Sequence, residues 1–111
     1  HSGNPHVRAR SGMPEHVAWA AVGEYGARGF GLTGLHDYWN LGHPDLRKLL
    51  LNACVWLAKG EVPEEGVPVK SVTLEELVKI NPATPNNKWM QSQKFQSWRQ
   101  QIETWNQGFG E

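Results

Sequence analysis

Cysteine is all but missing: Cys54 is the only one in 111 residues. A lone thiol excludes an intrachain disulfide framework and a cysteine-rich zinc site. It leaves the compartment open, so cytoplasmic and periplasmic or secreted locations both stand. Net charge is missing too, because 11 Lys and Arg oppose 11 Asp and Glu. The basic footprint of nucleic-acid binding is therefore absent, and no basic cluster suits an anionic membrane surface. Neither nucleic acid nor membrane is expected as a partner. Long apolar runs are lacking as well. The longest stretch, Leu46 to Ala58, is interrupted by Arg47, Lys48 and Asn52, and it falls short of the ~18 residues of a membrane span. The chain opens His1-Ser2-Gly3-Asn4-Pro5, with no Met, basic n-region or apolar h-region. The expectation is a chain whose start was removed, or the later part of a longer protein.

What remains fits one domain. The apolar fraction is 39% and the mean hydropathy is -0.57, so the core is expected to be thin. A compact monomer of this size exposes about 6,200 Å² of an unfolded surface of about 18,100 Å². Six tryptophans promise large aromatic contacts, in a core or at an interface.

Residues 1–14 read as irregular, punctuated by Gly3, Pro5, Gly12 and Pro14. Val17, Trp19 and Ala21 alternate with His16, Ala18 and Ala20, a strand pattern. Gly23 to Ala27 reads as a turn and Arg28 to Thr33 as a second strand, giving a hairpin with a five-residue loop. Phe30 and Leu32 share one face of that strand; Gly29 and Gly31 on the other suggest a close approach by backbone or ligand. Gly34 to His43 is expected to be a loop. Pro44 and Asp45 suit the first turn of a helix. Leu46, Leu49, Leu50, Ala53 and Leu57 follow its period through Ala58, and further apolar residues widen the stripe until it asks for cover on several sides. Lys59-Gly60 ends it. An extended linker with Pro63, Gly66 and Pro68 follows. A capping box at Thr73-Leu74-Glu75-Glu76 starts a helix over Leu74 to Ile80. After a break with Pro82 and Pro85, one helix is expected over Lys88 to Asn106, carrying the stripe Phe95, Trp98, Ile102 and Trp105.

Several short motifs occur in order: Gly29-Phe30-Gly31-Leu32-Thr33-Gly34-Leu35-His36, Trp39-Asn40, Arg47-Lys48-Leu49-Leu50-Leu51-Asn52-Ala53, Glu61-Val62-Pro63 and Gly66-Val67-Pro68. Together they resemble the C-terminal end of the trehalose-utilisation (ThuA-like) domain family. The likeness covers Glu15 to Pro68, with Leu35 standing where the family pattern has a glycine. It implies an α/β fold: the hairpin, loop and closing helix of a flavodoxin-like domain of the class I glutamine amidotransferase superfamily. Residues 1–70 are then the C-terminal portion of that domain, and 71–111 a helical extension. The missing N-terminal part of the domain, or a partner chain, is expected to complete the sheet.

The resemblance implies carbohydrate catabolism, with acid/base chemistry on a disaccharide or keto-sugar such as an isomerisation or hydrolysis. His36 is the catalytic candidate, because it follows a strand end, where α/β sites collect, and an imidazole works as acid or base near neutrality. The alternative is a loop histidine that orders the turn. Asp37, Tyr38, Trp39 and Asn40 are candidates for binding the sugar. Aromatic faces stack on sugar rings, and carboxylate and amide groups bind hydroxyls. The competing reading has Trp39 packing against the closing helix and Asn40 ordering the turn. Cys54, mid-helix in an apolar setting, is not expected to be a nucleophile, so a cysteine-dependent glutaminase is not expected. No cofactor is expected. His36, Asp37, His43 and Asp45 offer a divalent-metal alternative, but their spacing matches no standard site. Arg47 and Lys48 are read as a solvated helix face, and Asn52 as bonded to a neighbouring loop. Residues 88–111 are a candidate surface for a homo-oligomer. The rival to an enzyme is a glycan- or protein-binding module whose Trp-rich tail docks to a partner.

Overall fold

The computed structural model describes residues 4–81, 83 and 85–109; Gly3 and Pro82, read above as breaks, lie outside them. It is a mixed α/β chain with one two-stranded antiparallel hairpin and, among the described residues, five α-helices and a 3-10 turn.

The N-terminal segment is not wholly irregular, since α1 spans Pro5–Ala9. The Asn4 side chain accepts from the His6 and Val7 amides at 3.0 and 3.4 Å, and Pro5 occupies the first helical position. Those two residues suffice to start a short helix.

Strands β1 (Ala18–Val22) and β2 (Arg28–Leu32) pair from Ala18 opposite Leu32 to Val22 opposite Arg28. The five-residue loop closes with the Gly23 amide donating to the Ala27 carbonyl at 2.7 Å. Trp19 lies opposite Gly31, and its indole fills the space a Cβ at Gly31 would need. The close approach at Gly31 is thus made by an aromatic side chain across the hairpin, not by the backbone or ligand expected there.

Helix α2 covers Pro44–Leu57. His43 caps it, with Nδ1 accepting from the Asp45 amide at 3.2 Å. At its far end the Gly60 amide reaches the Val55 carbonyl and the Lys59 amide reaches that of Trp56. This ending puts Lys59, rather than a glycine, in the left-handed region at φ 60°. Arg28 ties β2 to the helix by donating to the Trp56 carbonyl at 2.7 Å, with its guanidinium over the Trp56 ring.

The linker after α2 runs back along the helix. Lys48 donates to the Glu65 carbonyl at 3.0 Å, and Asn52 Oδ1 accepts from the Val67 amide at 2.7 Å. Arg47 donates to the carbonyls of Leu41 and Lys70, both at 2.5 Å. Burial pulls its pKa below the ordinary guanidinium value. Asn52 therefore bonds a loop as expected. Arg47 and Lys48 do not form the solvated face expected of them; they clamp the chain on either side of the helix.

Helix α3 (Leu74–Ile80) begins at the capping box: the Glu76 amide donates to Thr73 Oγ1 at 3.2 Å and the Thr73 amide to Glu76 Oε2 at 2.8 Å. The long C-terminal helix is in fact two, α4 (Asn87–Met90) and α5 (Gln93–Asn106). Ser92 makes the break. Its hydroxyl donates to the Trp89 carbonyl at 2.6 Å and accepts from the Phe95 amide at 3.2 Å, ending one helix and capping the next.

Leu74, Leu77, Phe95 and Ile102 form the buried cluster. The 3-10 turn, Tyr38–Gly42, lies where a loop was expected, and Tyr38, Trp39 and Leu41 pack on that cluster. Gly42 is the point of closest approach, because the Ile102 side chain occupies the place of its missing Cβ. Arg99 joins α5 to α3 by directing both Nε and Nη2 at one oxygen, Oε1, of Glu75.

The other half is scarcely covered. Val17 and Val22 are each 64% exposed and Trp19 51%. In α2 only Pro44 and Ala53 are buried, and Leu49, Leu51, Leu57 and Cys54 are exposed. The apolar setting expected around Cys54 is therefore not what surrounds it. Among the described residues, α2 packs chiefly on β2, the 3-10 turn and the linker.

Candidate functional site

Beyond the end of β2 the chain turns at Gly34 and Leu35, enters the 3-10 turn, and starts α2 at Pro44. The Asn40 amide nitrogen donates back to the Gly34 carbonyl at 2.8 Å, which draws the two ends of this excursion together. An open cavity of about 370 Å³ lies beside that bond, lined by Gly34, Asn40, His43, Asp45, Leu46, Leu49 and Trp105. Its volume is at the small end of the range for ligand pockets, about 300–1,000 Å³. It lies beyond the carboxyl end of β2 and at the start of α2.

Of the five residues singled out in the sequence, one lines this cavity. Asn40 does so while its amide nitrogen also orders the turn, as the competing reading had it. His36 is exposed and lies outside the cavity lining. It makes no hydrogen bond or ion pair among the described residues. Asp37 is also exposed, standing before the 3-10 turn without a capping bond from its side chain. Tyr38 and Trp39 belong to the core rather than the cavity. Trp39 is stacked on Trp89, centroids 4.9 Å apart and planes 22° apart, with Tyr38 edge-on to it at 5.3 Å. Trp39 thus packs, as the competing reading had it, although against the C-terminal segment and not α2.

His43, Asp45 and Trp105 were not expected in the cavity lining. His43 had been considered only as part of a metal set, yet Pro44 as the first helical residue already marks position 43 as the cap. Trp105 is the last member of the aromatic stripe. Its ring lies 5.0 Å from that of His43 at 50° and 6.3 Å from Trp98 at 60°. Nothing in the sequence says that α5 folds back over the 3-10 turn, so its proximity to Asn40 was invisible there. Among the described residues no three His, Cys, Asp or Glu side chains group to hold a metal ion. No family model matches this chain, and no curated protein or solved structure matches it.

Proposed function

We propose that this chain is the C-terminal portion of a ThuA-like, flavodoxin-like α/β domain that acts on a disaccharide or keto-sugar by acid/base chemistry. One observation carries the reading: a cavity, lined partly by Asn40, at the carboxyl end of the strand whose sequence bears the resemblance. The uncovered faces of the hairpin and α2 agree with it, because a sheet of this type is covered on both sides. The rest of that domain, or a partner chain, supplies the cover. His36 is the acid or base in this reading, approached from the cavity side once the missing elements close over the loop.

A second reading is favoured by the exposure of His36 and its lack of a partner among the described residues. In it the cavity binds a glycan without converting it. Turnover of trehalose and of its keto derivative by the wild type and by His36→Ala separates the two. Loss of turnover with sugar binding retained supports the enzyme. Binding without turnover in either protein supports the binding module. Absence of both overturns the carbohydrate reading.

A further inference from the structure

We propose that the C-terminal helix completes the sugar site, with Trp105 as the stacking face for a neutral pyranose ring and His43 and Asn40 as its hydroxyl contacts. The proposal rests on the carbohydrate reading above and adds a determinant that lies outside the stretch of resemblance.

Three observations single out Trp105. Phe95 and Ile102 of its stripe are buried at 5% and 1% exposure; Trp98 and Trp105 are both half-buried at the edge of the core, and of the two Trp105 lines the cavity. Trp39 has one indole face covered by Trp89. Trp105 meets its aromatic neighbours at 50° and 60°, so among the described residues no parallel ring occupies its face. Leu46 and Leu49 continue that apolar wall. A flat aromatic wall with polar groups beside it suits a ligand that is apolar on one face and polar at its edge, as a pyranose is.

The polar groups are already committed at one atom and unpaired at the other. His43 Nδ1 accepts from the Asp45 amide, so the neutral imidazole carries its proton on Nε2 and donates there. The Asn40 nitrogen is held by the Gly34 carbonyl, which leaves Oδ1 to accept. Neither Nε2 nor Oδ1 has a hydrogen-bond partner among the described residues. A hydroxyl both donates and accepts, and answers each of them. Asp45 is also among the lining residues, and an acidic residue beside the cavity disfavours an anionic ligand. The site is therefore expected to prefer a neutral sugar to its phosphate ester.

The test is a titration of the ¹⁵N-labelled 111-residue protein, watching the six tryptophan indole N–H signals. The probes are trehalose, methyl α-glucopyranoside and glucose 6-phosphate. Trp105→Phe identifies the Trp105 signal by its loss and keeps a ring in place. The expected result is a shift confined to the Trp105 signal with the two neutral sugars. Trp105→Ala then weakens binding by more than about tenfold, as loss of an anchoring aromatic does, and Trp105→Phe by less. If the alanine variant fails to fold, the wild-type shift decides. Sugar binding with the Trp105 signal unmoved, or with wild-type affinity in the folded variants, overturns the proposal and leaves the carbohydrate reading standing. Tighter binding of glucose 6-phosphate overturns the neutral-sugar preference. No binding of any probe overturns both the proposal and the reading beneath it.

Discussion

Gly42 and Lys59 show how single backbone positions hold this chain together. Gly42 sits in the 3-10 turn with the Ile102 side chain where a Cβ would stand. Gly42→Ala is expected to lift α5 from the turn and cost about 1–3 kcal/mol, as overpacking does; chemical denaturation reads this directly. Lys59 is the opposite case. It adopts φ 60°, a conformation costing a non-glycine residue about 1–2 kcal/mol. Lys59→Gly relieves that cost against the larger backbone entropy of unfolded glycine. A net gain of roughly 0.5–1 kcal/mol is expected, seen as a higher Tm. Legibility at this scale depended on whether a residue's partner was near in sequence or chemically demanded. Asn52, polar in an apolar stripe, announced a loop partner and has one in Val67. Arg47 announced nothing, because the carbonyls it clamps belong to segments whose paths only the fold sets.

Among the elements, α3 was the most legible, since its capping box is local. Its electrostatics make a pH prediction. The Thr73 backbone N–H bond holds the Glu76 carboxyl below the ordinary carboxylate range. A group with a depressed folded pKa stabilises the fold above its unfolded pKa, about 4.3 for Glu, and loses that contribution as pH falls through the folded value. The stability difference between wild type and Glu76→Gln is therefore expected to be constant near neutrality. It shrinks towards zero on acidification below that range, as thermal melts against pH will read. The split between α4 and α5 was not legible, because a serine inside a helical pattern is common and only its two bonds make it a break. Ser92→Ala is expected to cost about 1 kcal/mol through loss of the cap, and circular dichroism melts check it. The 3-10 turn was hidden for another reason. Tyr38, Trp39 and Leu41 take their places by docking on α3 and α5, a contact more than thirty residues away in the chain.

For the whole molecule, the accessible surface is 8461 Å², against about 6,200 Å² for a compact monomer of this mass. The Cα radius of gyration is 17.2 Å, against about 13 Å for a compact chain of this length. The excess reflects uneven cover: one half has a closed aromatic core, and the hairpin with α2 leaves apolar side chains in solvent. The sequence had signalled this through a helix apolar nearly all round. It had not signalled that the C-terminal extension would fold over the 3-10 turn, which brings Trp105 into one cavity lining with Asn40 and His43. A two-stranded hairpin is marginal by itself, so the two halves are expected to differ sharply in local stability. Residue-resolved amide hydrogen exchange on the 111-residue protein measures this most directly. The slowest exchange is expected in Leu74–Ile80 and Gln93–Asn106, with the amides of Ala18–Val22 and Arg28–Leu32 orders of magnitude faster. Protection as strong in the hairpin as in the C-terminal helices would contradict it, and with it the need for a covering partner.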